Sequence, residues 1–280
     1  YVNVDILTEG WFEDAIASGL NDLKTAILSC KPTLEAGARF YAALSDSHFY
    51  YDGINEEYYD TLSMRDEVDC RVLKYLNTNK PLQLGVDFGN MCSLSIAQND
   101  VVNGKDTVRI VKFLYSLPPD YLKDLARKFR KYFAPMRNKT VNLYYDRAGN
   151  SYKKVGKDQA SEFKKHIEYD DDGRRTGWTV LPMSAGQGNI GQPEEYHFMS
   201  ILLSGANRLL PQVLIDAYAA KELKLSLEGA KTKVKDGITY KDKSSERLPI
   251  DQLPTKSTNP SDSFKYLLMT KERRKIVKGY

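Results

Sequence analysis

Three acidic residues stand at positions where a fold could gather them. Asp87 closes Leu-Gln-Leu-Gly-Val-Asp-Phe-Gly (82–89), Asp146 closes the apolar part of Leu-Tyr-Tyr-Asp-Arg-Ala-Gly-Asn (143–150), and Asp262 lies in Thr-Asn-Pro-Ser-Asp-Ser-Phe-Lys-Tyr-Leu-Leu (258–268). A carboxylate at the end of a buried strand is costly unless a cation compensates it, and two such groups side by side cannot both ionise without one. With neither histidine nor thiolate in the set, the donors are hard oxygens, which suit Mg²⁺ or Mn²⁺ better than zinc. Gly89 lets the chain turn away at once after Asp87 and brings backbone close to whatever that carboxylate holds.

The elements that must position these acids follow from pattern. Apolar, β-prone runs bounded by turn residues predict strands over 82–88, 93–98, 108–116, 141–145, 178–183 and 213–215. The first two are joined tightly at Gly89-Asn90-Met91, and the next pair turns at Asn103-Gly104, a strong hairpin signal. Apolar residues three and four apart predict helices over 120–133, 158–167, 194–203 and 221–229, and Pro260-Ser261 opens a last one with Asp262 in its first turn. Hairpin-linked strands followed by helix–strand alternation give an α/β chain with a mixed sheet flanked by helices.

Residues 1–80 differ in character, with helical spacing over 33–44 and 55–76 around an aromatic loop at 45–53. They read as a mainly helical connector or arm. Asn77-Thr-Asn-Lys-Pro81 ends it, so a second domain spans 81–280. With 280 residues, 41% apolar and 28% charged, the chain has room for a real core, and no stretch approaches the ~20 apolar residues of a membrane span. A net charge of +4 permits contact with nucleic acid without demonstrating it. Cys30, Cys70 and Cys92 share no metal-type spacing and read as reduced thiols of a cytosolic chain. The first residue is Tyr, with no signal peptide after it, as expected of a piece of a longer protein. No Gly-x-x-x-x-Gly-Lys-Ser/Thr loop occurs, so a phosphate-cradling ATPase core is absent.

The ordered series Val-Asp-Phe-Gly, Tyr-Asp-Arg-Ala-Gly-Asn and Ser-Asp-Ser-Phe-Lys-Tyr-Leu-Leu resembles the C-terminal nuclease domain of tailed-bacteriophage large terminase subunits, over about residues 80–280. The resemblance implies a ribonuclease-H-like fold and a DNA endonuclease that cuts concatemeric phage DNA during packaging. It implies Asp87, Asp146 and Asp262 as the catalytic, metal-binding acids, with two Mg²⁺ or Mn²⁺ ions ~3.5–4 Å apart and Asp87 bridging them. It also implies double-stranded DNA as substrate, the cytoplasm of a bacterial host as location, and an ATPase motor, portal and small terminase subunit as partners of the whole protein. Some relatives carry histidine three positions before the last acid. Here that position is Asn259, which cannot shuttle protons.

Other features compete for attention. Arg147, Lys153 and Lys154 follow the second acid, and Lys233, Lys241 and Lys243 belong to a hairpin turning at Asp236-Gly237; all six are candidate contacts to a DNA backbone, or simply solvated lysines and arginines. Gly186-Gln-Gly-Asn-Ile-Gly191, with Asp216 downstream, has the outline of a dinucleotide fingerprint, although a flexible loop beside the cleft fits better. Asp170-Asp-Asp-Gly173 reads as a solvated turn, and His48, His166 and His197 as structural. Two other classes stay open: an actin-like or sugar-kinase ATPase, for which the further phosphate and adenosine motifs are missing, and a non-catalytic DNA-binding or portal-docking module.

Overall fold

The computed structural model describes residues 38–63, 68–119, 121–146, 158–185 and 188–277. In chain order the main elements are β1 (Phe49–Tyr50), α1 (Glu56–Ser63), β2 (Leu82–Asp87), β3 (Cys92–Val102), β4 (Lys105–Ser116), α2 (Tyr121–Tyr132), β5 (Thr140–Tyr145), α3 (Gln159–Glu168), β6 (Thr179–Pro182), α4 (Gln192–Ser204), β7 (Gln212–Asp216), α5 (Lys221–Gly229), β8 (Thr232–Lys235), β9 (Ile238–Lys241), the single turn α6 (Leu253–Lys256) and α7 (Asn259–Val277). Seven strands form one sheet in the order β1-β7-β4-β3-β2-β5-β6, and β8 and β9 pair as a separate hairpin. Only β3 runs against its neighbours, so the sheet is mixed. The strand order β4-β3-β2-β5-β6, with its second strand antiparallel, is the ribonuclease-H-like arrangement expected above.

Side-chain alternation divides the sheet into two packed faces. Leu82, Leu84 and Val86 of β2 and Val141, Leu143 and Tyr145 of β5 point to the face covered by α2 and α3, where Leu125, Phe129 and Phe163 complete an apolar cluster. Residues of opposite parity turn to the other face, under α7. There Gly85 is required by close approach: a Cβ on it would lie 2.2 Å from the Ser263 carbonyl oxygen and 2.6 Å from Leu267 Cβ. Parity therefore sends Asp87, and Asp146 beyond the end of β5, toward the α7 face. The hairpin turns are those the sequence promises, with positive φ at Asn103 (51°) and Gly104 (75°), and at Asp236 (52°) and Gly237 (73°).

Residues 1–37 of the expected helical arm lie outside the described residues; from 38 to 80 the described residues differ from expectation. Within 38–44 there is no helix: Arg39 bridges to Lys231, and Phe40 and Tyr41 are buried in the main core. Among the described residues, the long helix expected over 55–76 gives way to α1 and a separate 3₁₀ turn at Cys70–Val72, which Asp69 caps by accepting from the Arg71 N–H (2.9 Å); residues 64–67 lie outside the described residues. The Ile54–Leu73 bridge then folds the segment back on itself. β1 pairs in parallel with β7, so this region contributes an edge strand to the sheet.

Candidate metal centre

Strand register delivers the first two acids. β2 and β5 are parallel neighbours with Val86 opposite Tyr145, so Asp87 and Asp146 leave adjacent strands at the same end of the sheet. Adjacent strands lie ~4.8 Å apart. The third acid arrives on the first turn of α7, whose seat over Gly85 is reinforced by the Ser95 Oγ–Ser263 Oγ hydrogen bond (2.7 Å). Asn259, at the start of the same helix, donates from Nδ2 to Asp87 Oδ2 at 2.8 Å and accepts from Ser257 Oγ. Gly89 is needed here too, because a Cβ on it would sit 2.2 Å from Asn259 Nδ2 and 2.9 Å from Asp87 Oδ2.

The three acids meet different surroundings. Burial, then the neighbouring charge of Asp262, pushes the Asp87 carboxyl up to about 7, while the Asn259 N–H and the Lys243 ammonium work against the rise. Asp262 is completely buried, which by itself would raise it, but the ammonium groups of Lys241, Lys265 and Lys243 hold it well below the usual carboxylate range. Lys241 Nζ lies 2.8 Å from Asp262 Oδ1, Lys243 Nζ bonds Oδ2, and Lys265 Nζ is 3.5 Å from Oδ1. Asp146 is half-buried and lines a narrow cleft with Tyr145, Ser184, Asn189, Tyr266 and Thr270. Burial pushes the Tyr266 phenol strongly upward; Lys265 opposes this, and the charges of Asp262, Asp87 and Asp146 add to it. All three acids thus act on one side chain, one helical turn after Asp262. Among the described residues, however, no group of three or more His, Cys, Asp or Glu side chains forms a ready cage for a metal ion.

The donors present fit a hard divalent cation. Asp87 is a carboxyl whose pKa is raised by burial and by the charge of Asp262, at the end of a strand beside a second acid, and every acid of the set offers oxygen only. Asp262 differs in that its oxygens already face lysines.

Several candidates from the sequence fall elsewhere. Lys241 requires correction as a DNA contact: its side chain has no exposure, and its ammonium is held by Glu195 (2.5 Å), Asp262 and Ser261 under the rings of Phe40 and Tyr41. Lys243 is about one-third exposed at the rim, and Lys233 is exposed on β8. Arg147, Lys153 and Lys154 lie outside the described residues, as do Gly186, Gln187 and Cys30. Asp216 is buried, and its Oδ1 accepts the N–H groups of Tyr218 and Ala219 in the turn after β7, so it faces no nucleotide ribose. Asp170 likewise accepts the N–H groups of Asp172 and Arg174 in a tight turn. His48 bonds the Leu203 carbonyl, His166 stands 3.7 Å from Glu162, and His197 is exposed. Sequence reasoning missed Glu195 and Lys265. Lys265 carried a signal, its i+3 spacing from Asp262; Glu195 looked like an ordinary acid in the first turn of a helix.

No family model matches the sequence, and no curated protein matches it. Solved structures with a similar fold do. The large terminase from a thermophilic bacteriophage, in complex with ATP-gamma-S, has a TM-score of 0.50 and 12% identity, over 84% of this chain and 46% of that one. A further crystal structure of the same terminase gives 0.50 and 11%, over 86% and 47%. The nuclease domain of the large terminase from bacteriophage SPP1, with bound Mn, gives 0.42 and 12%, over 81% and 95%. The chain spans about half the length of the two thermophilic-phage structures it matches (46% and 47%) and shares their fold.

Proposed function

We propose that this chain is the nuclease part of a tailed-phage large terminase subunit, a metal-dependent endodeoxyribonuclease that cuts concatemeric double-stranded DNA during genome packaging. In this reading the nuclease domain spans residues 81–280 together with the described residues from 38 onward, whose Phe40, Tyr41 and Phe49 share its core and whose β1 edges its sheet, and the chain before them trails an ATPase motor. The observation that carries it is that Asp87 and Asp146 leave neighbouring parallel strands at the same end of the sheet, while Asn259, three residues before Asp262 on α7, bonds the Asp87 carboxylate. The shared fold supports it. Both thermophilic-phage structures are of a large terminase, and the motor, portal and small subunit are proposed partners of the whole protein, in the cytoplasm of a bacterial host.

Asp87, Asp146 and Asp262 would hold two Mg²⁺ or Mn²⁺ ions. Such ions supply a water made acidic enough to attack at neutral pH and charge to stabilise the leaving 3′ oxygen. The protein's own residues do the rest. Asn259 fixes the orientation of Asp87 through Oδ2, which leaves Oδ1 turned away from that bond. Lys243, at the rim and bonded to Asp262, is placed to meet a phosphate entering the cleft, and exposed Lys233 extends the positive surface along the hairpin.

Plasmid digestion with Mn²⁺ or Mg²⁺ tests the proposal. The parent should nick or linearise the plasmid, whereas Asp87→Asn and Asp262→Asn should leave it intact while keeping the parent's circular dichroism spectrum. Equal cutting by the variants would remove the acids from the chemistry. A folded parent that binds DNA without cutting would favour the non-catalytic module.

A further inference from the structure

Glu195 is a buried acid that shares lysines with Asp262 and that the proposed chemistry does not use. It sits in the first turn of α4 with no exposure, far along the chain from each of its partners. Its Oε1 accepts from Tyr41 Oη (2.7 Å) and pairs with Lys241 Nζ (2.5 Å), while Oε2 lies 3.5 Å from Lys265 Nζ and makes no hydrogen bond. Lys241 and Lys265 are the two lysines that also face Asp262 Oδ1. Two buried ammonium groups are thus shared between two buried carboxylates, with Lys243 as a further cation at the rim. The electrostatic consequence is direct. Without Glu195, the same lysines would have Asp262 as their sole buried carboxylate partner, and a carboxylate enclosed by ammonium groups is a poor ligand for a divalent ion.

We propose that Glu195 is a positioning residue for the metal centre: by holding Lys241 and Lys265 partly on its own carboxylate, it keeps these ammonium groups from closing fully on the Asp262 oxygens, which then join Asp87 and Asp146 in holding a divalent cation. The strap at 38–41 belongs to the same device. Phe40 N–H bonds Ala230 O (2.8 Å) and Thr232 N–H bonds Ala38 O (2.7 Å), so the strap that carries Tyr41 to Glu195 is stitched to the base of the hairpin that carries Lys241. This inference rests on the nuclease reading above, because it concerns the ligand strength of Asp262.

The test is Mn²⁺ binding, by calorimetry on the full chain, in a double-mutant cycle of Glu195→Gln and Lys241→Met, with thermal melts alongside. Glu195→Gln should weaken Mn²⁺ binding about tenfold, but in the Lys241→Met background the same change should shift it less than about twofold, since the lysine that would close on Asp262 is gone. Equal weakening in both backgrounds would mark a general loss of negative charge and overturn the proposal, as would no weakening in either. Should Glu195→Gln not fold, Glu195→Asp replaces it: the carboxylate is drawn back by one methylene with its charge kept, and it should weaken binding only while Lys241 is present. A parent chain that binds no Mn²⁺ would sink the nuclease reading and this inference together. A parent that binds, with Asp87→Asn abolishing it and the cycle showing no coupling, would sink this inference alone.

Discussion

Asn259 gives an amide hydrogen to Asp87 Oδ2 at 2.8 Å across 172 residues of chain, and its own oxygen is held by Ser257. The bond favours the ionised carboxylate, against burial and the charge of Asp262. Asn259→Ala should therefore raise Asp87 further and weaken Mn²⁺ binding near neutral pH by about tenfold, the equivalent of one pKa unit. Binding isotherms at several pH values check this. An unchanged isotherm would mean the amide does not act on Asp87.

Asp87 also sets a pH dependence of stability. Its ordinary value is ~3.9, so between there and its raised folded value the folded chain keeps a proton that the unfolded chain has lost. Stability from this group is full below the lower value and falls as pH rises through about 7. Asp262 runs the other way: its stabilisation is present above the ordinary carboxylate value and is lost as pH falls toward its depressed one. In metal-free protein the melting midpoint should fall between about pH 5 and about pH 8, and Asp87→Asn should flatten that limb. Melts of both proteins with chelator present decide it.

Divalent binding should displace the same proton. Calorimetry of Mn²⁺ binding in buffers of different ionisation enthalpy should show proton release of up to about one near pH 6, shrinking above about pH 8. The Asp87→Asn variant should release none from this position.

Gly85→Ala tests the seating of α7. Its methyl would fall 2.2 Å from backbone that cannot swing aside, so the helix must lift. The expected cost is ~1–3 kcal/mol of stability, with Mn²⁺ binding weakened as Asp262 moves away from Asp87. Chemical denaturation and calorimetry of the variant measure both.

Lys233→Ala tests the hairpin as a DNA contact. Affinity for duplex DNA should fall at low salt, and the slope of log affinity against log salt should drop by about 0.9 if one phosphate contact is lost. A slope unchanged from the parent would leave Lys233 as a solvated residue.

The strand acids were legible because period-two alternation is local: once 82–87 is a strand with Leu82, Leu84 and Val86 on one face, the side to which Asp87 points is fixed. The Asn-Gly and Asp-Gly turns were legible for the same reason. What escaped was set by distant partners. Lys241 reads as an exposed hairpin lysine until Phe40, Tyr41 and Glu195 cover it, and those come from parts of the chain that no window around 241 contains. The helix expected through 55–76 failed because Asp69 prefers to cap a new turn and Leu73 pairs back to Ile54, choices that apolar spacing does not record. The role of Asn259 was half legible: its inability to shuttle protons follows from its chemistry, its grip on Asp87 only from the seat of α7 over Gly85.

That seat has a consequence for how the protein is made. A ribosome that has just placed Asp87 must add 172 more residues before the amide that orients it exists, and Asp262 follows three residues later. Nascent or truncated chains that stop short of α7 carry two of the acids, with neither Asn259 nor Asp262 opposite them. Synthesis order alone thus withholds the assembled centre until translation has passed its last acid.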